Sequence, residues 1–264
     1  VTTQALKVTP GRVLLSEWTK LRTLRSTLFS LLAAVILIIG FSILVCSLIA
    51  ASWPPPSKQD IETFNPTEVS LAGRLFAQLA LGVLGVLVMT GEYSTGMIRA
   101  TLSAVPKRIP VLWAKALVYG LTCLVLTLVS VLVAFFLGQA ILSSKDIQAS
   151  IGDPGVARVV FGTALYLTGV GLLGLALGAL LRNTAGAIST LFGLLFVVPI
   201  VVHFLPASWN DAIAKYLPSN AGQVIADLHA GPDSLAPWTG LLVFFLYAVI
   251  GLVLAGVALV RRDA

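Results

Sequence analysis

The chain is 264 residues long, 58% hydrophobic and only 11% charged, with a mean hydropathy of +0.99, whereas soluble domains carry about 25% charged residues. Apolar runs of about 20 residues, long enough to cross a bilayer, recur along it and leave no stretch for a separate soluble core. A cytosolic enzyme, a secreted disulfide scaffold and a free nucleic-acid binder are therefore excluded, and the net charge of +6 is expected to reflect membrane orientation rather than a nucleic-acid partner.

Taken in chain order, Thr9-Pro10 opens an amphipathic helix expected over residues 8–25, with proline at its first position. At 100° per residue Leu14, Trp18, Leu21 and Leu24 share one face, and Arg12, Ser16, Thr19, Lys20 and Thr23 the other. Such a helix lies flat in the headgroup layer, and Arg25 marks the turn into the first span, Leu28 to Ala51. That span is preceded by 27 residues and has no evident cleavage site, so it is expected to anchor rather than to be removed. Trp53 to Ser57 reads as a polar loop, and Asn65-Pro66-Thr67 as an unpaired loop motif. The second span is Val69 to Thr90.

The next segment, Gly91 to Arg108, is far longer than a minimal turn. Thr95 is expected to cap a short helix whose apolar stripe is Ile98, Leu102 and Val105, with Pro106 as its stop. The third and fourth spans are Leu112 to Leu137 and Val159 to Leu181, joined by a polar loop over 143–155. Gly174 and Gly178 form a GxxxG pair in the fourth, and close helix packing is the reading preferred over a substrate role. The fifth span, Ala185 to Leu205, carries Pro199, which removes a backbone donor and predicts a kink. Two short interfacial helices follow within 207–230, divided near Pro218 and expected to lie as a lid at headgroup level. The sixth span is Trp238 to Val260.

Six spans put both termini on one side. Taking that side as cytoplasmic assigns 12 of the 17 Lys and Arg residues to it, Lys7, Lys107 and Arg262 among them, for a net +9 there and −3 outside; this is the positive-inside asymmetry. Lys115 and Arg74 lie near span ends, where they are expected to snorkel, and no carboxylate is expected to be buried. A carrier driven by protons or sodium needs such a group and often an inverted repeat, so secondary transport is disfavoured. Cys46 and Cys123 are expected to be separate packing thiols. No lysine follows a glycine, so the chain lacks a phosphate-cradling Gly-Lys-Ser/Thr loop; no GxSxG serine or zinc motif accompanies His203 or His229.

The segment Glu92-Tyr-Ser-Thr-Gly-Met-Ile-Arg-Ala-Thr-Leu-Ser-Ala-Val-Pro-Lys-Arg108, followed by Lys115, resembles the cytoplasmic signature of type-2 ATP-binding cassette (ABC) exporter permeases, in a bacterial subgroup common in actinobacteria. The resemblance extends in order through Ser16 to Arg22, Leu181 to Ala187 and Tyr216 to Gly222, and so covers almost the whole chain. It implies one all-α permease domain over 1–264: six transmembrane helices, an N-terminal elbow at 8–25, a coupling helix at 92–105 and two outer half-helices before the sixth span. It further implies a multi-pass protein of the bacterial plasma membrane with both termini cytoplasmic. A second permease subunit, identical or not, would pair with it, and a separate nucleotide-binding ATPase subunit would hold the ATP and Mg; this chain would be no enzyme and carry no cofactor.

By the same resemblance Glu92, Tyr93, Ser94, Thr95, Gly96, Ile98, Arg99 and Leu102 would couple to the ATPase, and Glu17, Trp18, Lys20 and Arg22 would dock it. Phe76, Gln78, Phe192, Phe196 and His203 are candidates to line a path for a hydrophobic or amphipathic substrate, such as an antibiotic, drug, lipid or peptide. The alternative is a non-transporting scaffold or sensor that recruits a cytoplasmic partner; a channel ranks third, for want of rings of charge.

Overall fold

The structure is a computed structural model; it describes residues 9–105, 108–231 and 233–261, with the side chains of 207, 208 and 211 left aside. Val8 at the start of the predicted elbow, Pro106 as the predicted helix stop, and the charges Lys7, Lys107, Arg262 and Asp263 lie outside the described residues. Among the described residues there is no strand, and six helices are long and apolar enough to cross a membrane. The protein is an all-α, multi-pass membrane protein.

Helix α1 (Pro10–Thr23) is followed by an extended Leu24 and then by the first span, α2 (Arg25–Ser52), so the chain turns where Arg25 marked it. Two short helices, α3 (Lys58–Glu62) and α4 (Pro66–Ser70), precede the second span, α5 (Arg74–Ser94). The expected continuous run from Val69 is therefore broken. Asn65 Oδ1 accepts from the Thr67 and Glu68 amides at 3.1 and 3.3 Å and starts α4. At Gly73 the chain passes so close to α2 that a Cβ would overlap the Ile38 carbonyl, and the Gly73 amide donates to Ser42 Oγ at 3.2 Å.

Helix α6 (Met97–Ala104) comes next, then α7 (Arg108–Leu142), whose 35 residues rise about 50 Å at 1.5 Å each. That exceeds the ~30 Å apolar layer, so α7 projects beyond it. Helix α8 (Val156–Leu181) is the central one, buried on nearly all sides against α5 and α7. Its all-round apolar surface requires such a place. Gly174 lies against the backbone of Gly82, and Gly85 against that of Gly171, where any Cβ would overlap a carbonyl. The GxxxG region thus serves close packing, as expected.

The fifth span runs through α9 (Thr184–Phe192), a wide π-helical turn at Gly193–Val197 and α10 (Val198–His203). Pro199 has no amide to give and its ring crowds the Leu195 carbonyl; the extra residue in the turn absorbs both effects. Two half-helices follow, α11 (Ala207–Ile213) and α12 (Pro218–Gln223), and then the sixth span, α13 (Pro237–Arg261).

The half-helices do not lie together as a lid. Trp209 of α11 is exposed, whereas Pro218, Ser219, Ala221 and Gly222 of α12 and Val224 to Ala226 beyond it are buried. Gly222 fits against Tyr166 and Phe244, and Gly162 against Ile225. This segment sinks between α8 and α13 because glycines on both sides leave room for its backbone.

Candidate functional site

The end of the bundle that carries α1 and α6 holds a group of four mutually paired charges. Lys115 Nζ donates to Glu17 Oε2 at 2.5 Å and to Glu92 Oε1 at 2.7 Å. Lys20 Nζ donates to Glu17 Oε1 at 2.7 Å, Glu92 Oε1 at 2.9 Å and Thr101 Oγ1 at 3.1 Å. Glu17, Glu92 and Lys115 are 4%, 6% and 4% exposed. The expectation that no carboxylate is buried is thus overturned, and Lys115 does not snorkel. Each carboxylate is tolerated away from water because two ammonium groups neutralise and hydrogen-bond it. Burial lowers the pKa of Lys20, but its bonds to Glu17 and Glu92 outweigh that and raise it above the usual 10.5.

The cluster explains how α1 sits. The expected apolar face was Leu14, Trp18, Leu21 and Leu24; the buried stripe is Val13, Glu17 and Leu21, with Trp18 and Leu24 exposed. The helix is rotated by roughly one position so that Glu17 reaches Lys115, while Val13 packs beside Val111 and Ala114. Four helices then meet through side chains alone: α1 through Glu17 and Lys20, α5 through Glu92, α6 through Thr101 and α7 through Lys115.

The link from α5 to α6 also differs from expectation. Thr95 does not cap α6; its hydroxyl bonds back to the Gly91 carbonyl at 2.8 Å and closes α5. Gly96, at φ 71°, makes the left-handed turn into α6, a conformation in which any side chain would be strained. Ile98 is buried and Leu102 packs half-buried against the same core, as the predicted apolar stripe requires, but Val105, its third member, lies beyond the end of α6 and packs with Val13, Val111 and Ala114 instead. Arg99 and Ser94 are exposed, as are Trp18 and Arg22 of α1. Of the residues expected to couple or dock, then, Glu17, Lys20, Glu92 and Ile98 face the interior, and Trp18, Arg22, Ser94 and Arg99 face outward. Tyr93 lies under the Arg182 guanidinium at 5.2 Å. Arg182 and Arg108 donate to the Ala258 and Leu259 carbonyls at 3.3 and 2.8 Å, tying the last turn of α13 to the same end.

A cavity of about 260 Å³ adjoins the four charges. Glu17, Lys20, Glu92 and Lys115 form one wall, Leu24, Leu84, Leu87, Val88 and Val118 another, and Ser26, Thr27 and Ser30 of α2 line it as well.

The substrate-lining candidates lie elsewhere and do not converge. Gln78 is buried and accepts from Tyr166 OH at 2.6 Å. Phe76 is exposed with its edge on Phe41, Phe192 is exposed and stacked on Phe196, and His203 is exposed. At this opposite end Arg74 does not snorkel either: it donates to the Ala226 carbonyl at 2.6 Å and to Asp227 Oδ1 at 3.1 Å. Arg158 donates to the Ile225 and Leu228 carbonyls at 3.2 and 3.1 Å. Cys46 and Cys123 are both free and buried.

Comparison with family models and with curated proteins finds no match to this chain.

Proposed function

We propose that the chain is the membrane-spanning permease subunit of an ATP-driven exporter of the type-2 ABC kind, moving a hydrophobic or amphipathic substrate. The observation that carries this reading is the buried charge cluster, which joins α1, the end of α5, α6 and α7 into one unit. A force applied to the exposed side of α1 and α6 passes into two spans without loss in flexible links. Arg22 and Arg99 supply exposed basic groups for docking a nucleotide-binding subunit, with charge acting mainly on encounter and register, whereas Trp18 borders an apolar groove with Val35, Ile39 and Leu121. ATP-driven closure of two such subunits would then move these units as rigid bodies.

The charge asymmetry favours both termini in the cytoplasm of a bacterial cell. The exposed aromatic side chains of α5 and the fifth span, Phe76 and Phe192 among them, suit a second permease copy, and a mostly apolar surface suits a lipid-like cargo better than a sugar polymer.

The test is ATPase activity of the purified chain, alone and reconstituted in vesicles with candidate nucleotide-binding subunits. The expected result is no hydrolysis alone, and hydrolysis stimulated by transported substrate in the complex. Hydrolysis by the isolated chain, or a stable complex that recruits a cytoplasmic protein with no substrate-stimulated turnover, overturns the reading in favour of an enzyme or a scaffold.

A further inference from the structure

Between α7 and α13, at the end that carries α1 and α6, a groove of about 390 Å³ opens to the side of the bundle. Its floor is Leu252 and Gly256, both buried, and its rims are Ile109 and Trp113 of α7 and Val253 and Val257 of α13, all exposed. The hollow exists because residue 256 has no side chain: a Cβ there would meet only Leu112, at an ordinary 3.8 Å. Trp113 marks headgroup level, where tryptophan concentrates, and Arg261, the last residue of α13, lines the same groove.

Size and charge together select the occupant. An apolar cavity of ~150 Å³ holds one six-carbon ring, so this groove takes a chain segment of roughly a dozen carbons. A helix, at about 10 Å across, is too wide to enter it. Arg261 is exposed and has no ion-pair partner among the described residues. A helix C-terminus ordinarily repels an anion, because its last carbonyls carry partial negative charge. Here the Ala258 and Leu259 carbonyls are covered by the Arg182 and Arg108 guanidinium groups, which turns that end of α13 positive. Among the described residues every exposed charge at this end of the bundle is an arginine, Arg12, Arg22, Arg25, Arg99 and Arg261, while Glu17 and Glu92 are buried against lysines. A basic group over an apolar groove between spans matches a lipid with one chain and a net negative headgroup. A zwitterionic headgroup brings a cation of its own, which this end repels.

We propose that the groove between α7 and α13 binds an anionic phospholipid of the phosphatidylglycerol type. One acyl chain lies over Gly256, between Trp113 and Val257, and the phosphodiester pairs with Arg261. The site stands whether or not the chain transports anything.

The experiment reconstitutes the full chain in vesicles of equal parts phosphatidylglycerol, phosphatidylethanolamine and phosphatidylcholine, extracts it in mild detergent and counts retained lipids by native mass spectrometry. Phosphatidylglycerol should be retained about fivefold over the other two, the scale of one arginine at the membrane surface. Arg261→Gln should bring the three lipids to parity and Arg261→Lys should keep most of the preference, while Arg25→Gln, which removes an exposed charge away from the groove, should leave it unchanged. Gly256→Leu should abolish retention by filling the hollow. Thermal stability is measured alongside, and Arg261→Gln, at an exposed helix end, keeps the test decisive if Gly256→Leu does not fold. Soluble glycerophosphate should fail to displace the lipid. Equal retention of all three lipids by the wild type, an unchanged preference in Arg261→Gln, or displacement by the tail-less phosphate overturns the proposal. So does a pair of chains that separates in Gly256→Leu with lipid counts unaltered, which would assign the groove to a second copy.

Discussion

The two ends of the bundle solve the problem of burying polar groups in opposite ways. At the α1 end, charged side chains satisfy one another: Lys115 and Lys20 share Glu17 and Glu92. At the other end, long side chains satisfy backbone: Arg74 takes the Ala226 carbonyl, Arg158 takes those of Ile225 and Leu228, and Gln139 takes that of Pro66 at 3.0 Å. The first arrangement joins four regular helices at fixed points along them. The second holds less regular chain, the buried turn after α12 and the short helix α4 ahead of the break at Gly73, by giving side-chain donors to backbone carbonyls. A charge-to-charge junction fails when one member is lost, because the others stay buried; a charge-to-backbone junction loses one tie and exposes a carbonyl that water can reach.

The largest expected effect follows from that asymmetry. Lys115→Met should leave Glu17 and Glu92 buried with only the half-buried Lys20 between them, a loss of about 3–5 kcal/mol, seen as a marked fall in thermal stability or in membrane accumulation. Adding Glu17→Gln and Glu92→Gln to Lys115→Met should recover much of it, since the remaining groups are neutral. A triple variant as unstable as the single one would mean that packing of the Lys115 stem, not charge, holds this end.

Arg74→Met should cost less, about 2 kcal/mol for the lost charge-assisted bonds, because its side chain is 22% exposed and its Asp227 partner 37%. Released carbonyls and Asp227 then meet water. Hydrogen exchange should rise locally over 224–228 while the α1 end stays protected. Equal loosening of both ends would show that the two junctions belong to one cooperative unit rather than two.

How far the sequence discloses these two junctions depends on distance along the chain. The six spans, the turn at Arg25, the α6 stripe and the pair of half-helices near Pro218 are local patterns of apolar period and turn residues, and they are read directly. The charge cluster joins Glu17 to Lys115 across 98 residues; nothing in the composition near either residue distinguishes a surface charge from a buried one. The nearest signal was Lys115 inside an apolar run, which demands a partner, yet snorkelling offered an easier account. Likewise the break at Gly73 and the burial of α12 depend on what lies opposite, the α2 backbone in one case and the small residues of α8 and α13 in the other. Thr95 lost the cap to Gly96 because a left-handed turn was needed there, and only glycine adopts it freely.

The smallest effect concerns pH, and it sharpens the contrast because the α1 end depends on the half-buried Lys20. Lys20 has its pKa raised in the folded chain, against burial, by Glu17 and Glu92. A raised pKa in the folded state means that folding favours the protonated amine. Its contribution is therefore fully present below the unfolded value near 10.5 and is lost as the pH rises through the higher folded value. Attachment of α1 to the bundle should be flat with respect to this group from neutral pH to about 9.5, a unit below that value, and should weaken only above it. Limited proteolysis near Leu24, or the emission of exposed Trp18 against a background with the other tryptophans replaced, reports the release. Lys20→Arg should move the alkaline loss to still higher pH, because guanidinium keeps its proton, while Lys20→Met should remove the alkaline transition and lower stability at neutral pH. Release of α1 with the same alkaline midpoint in wild type and in Lys20→Met would assign the transition to another group and leave Lys115 alone as the ionic tie at this end.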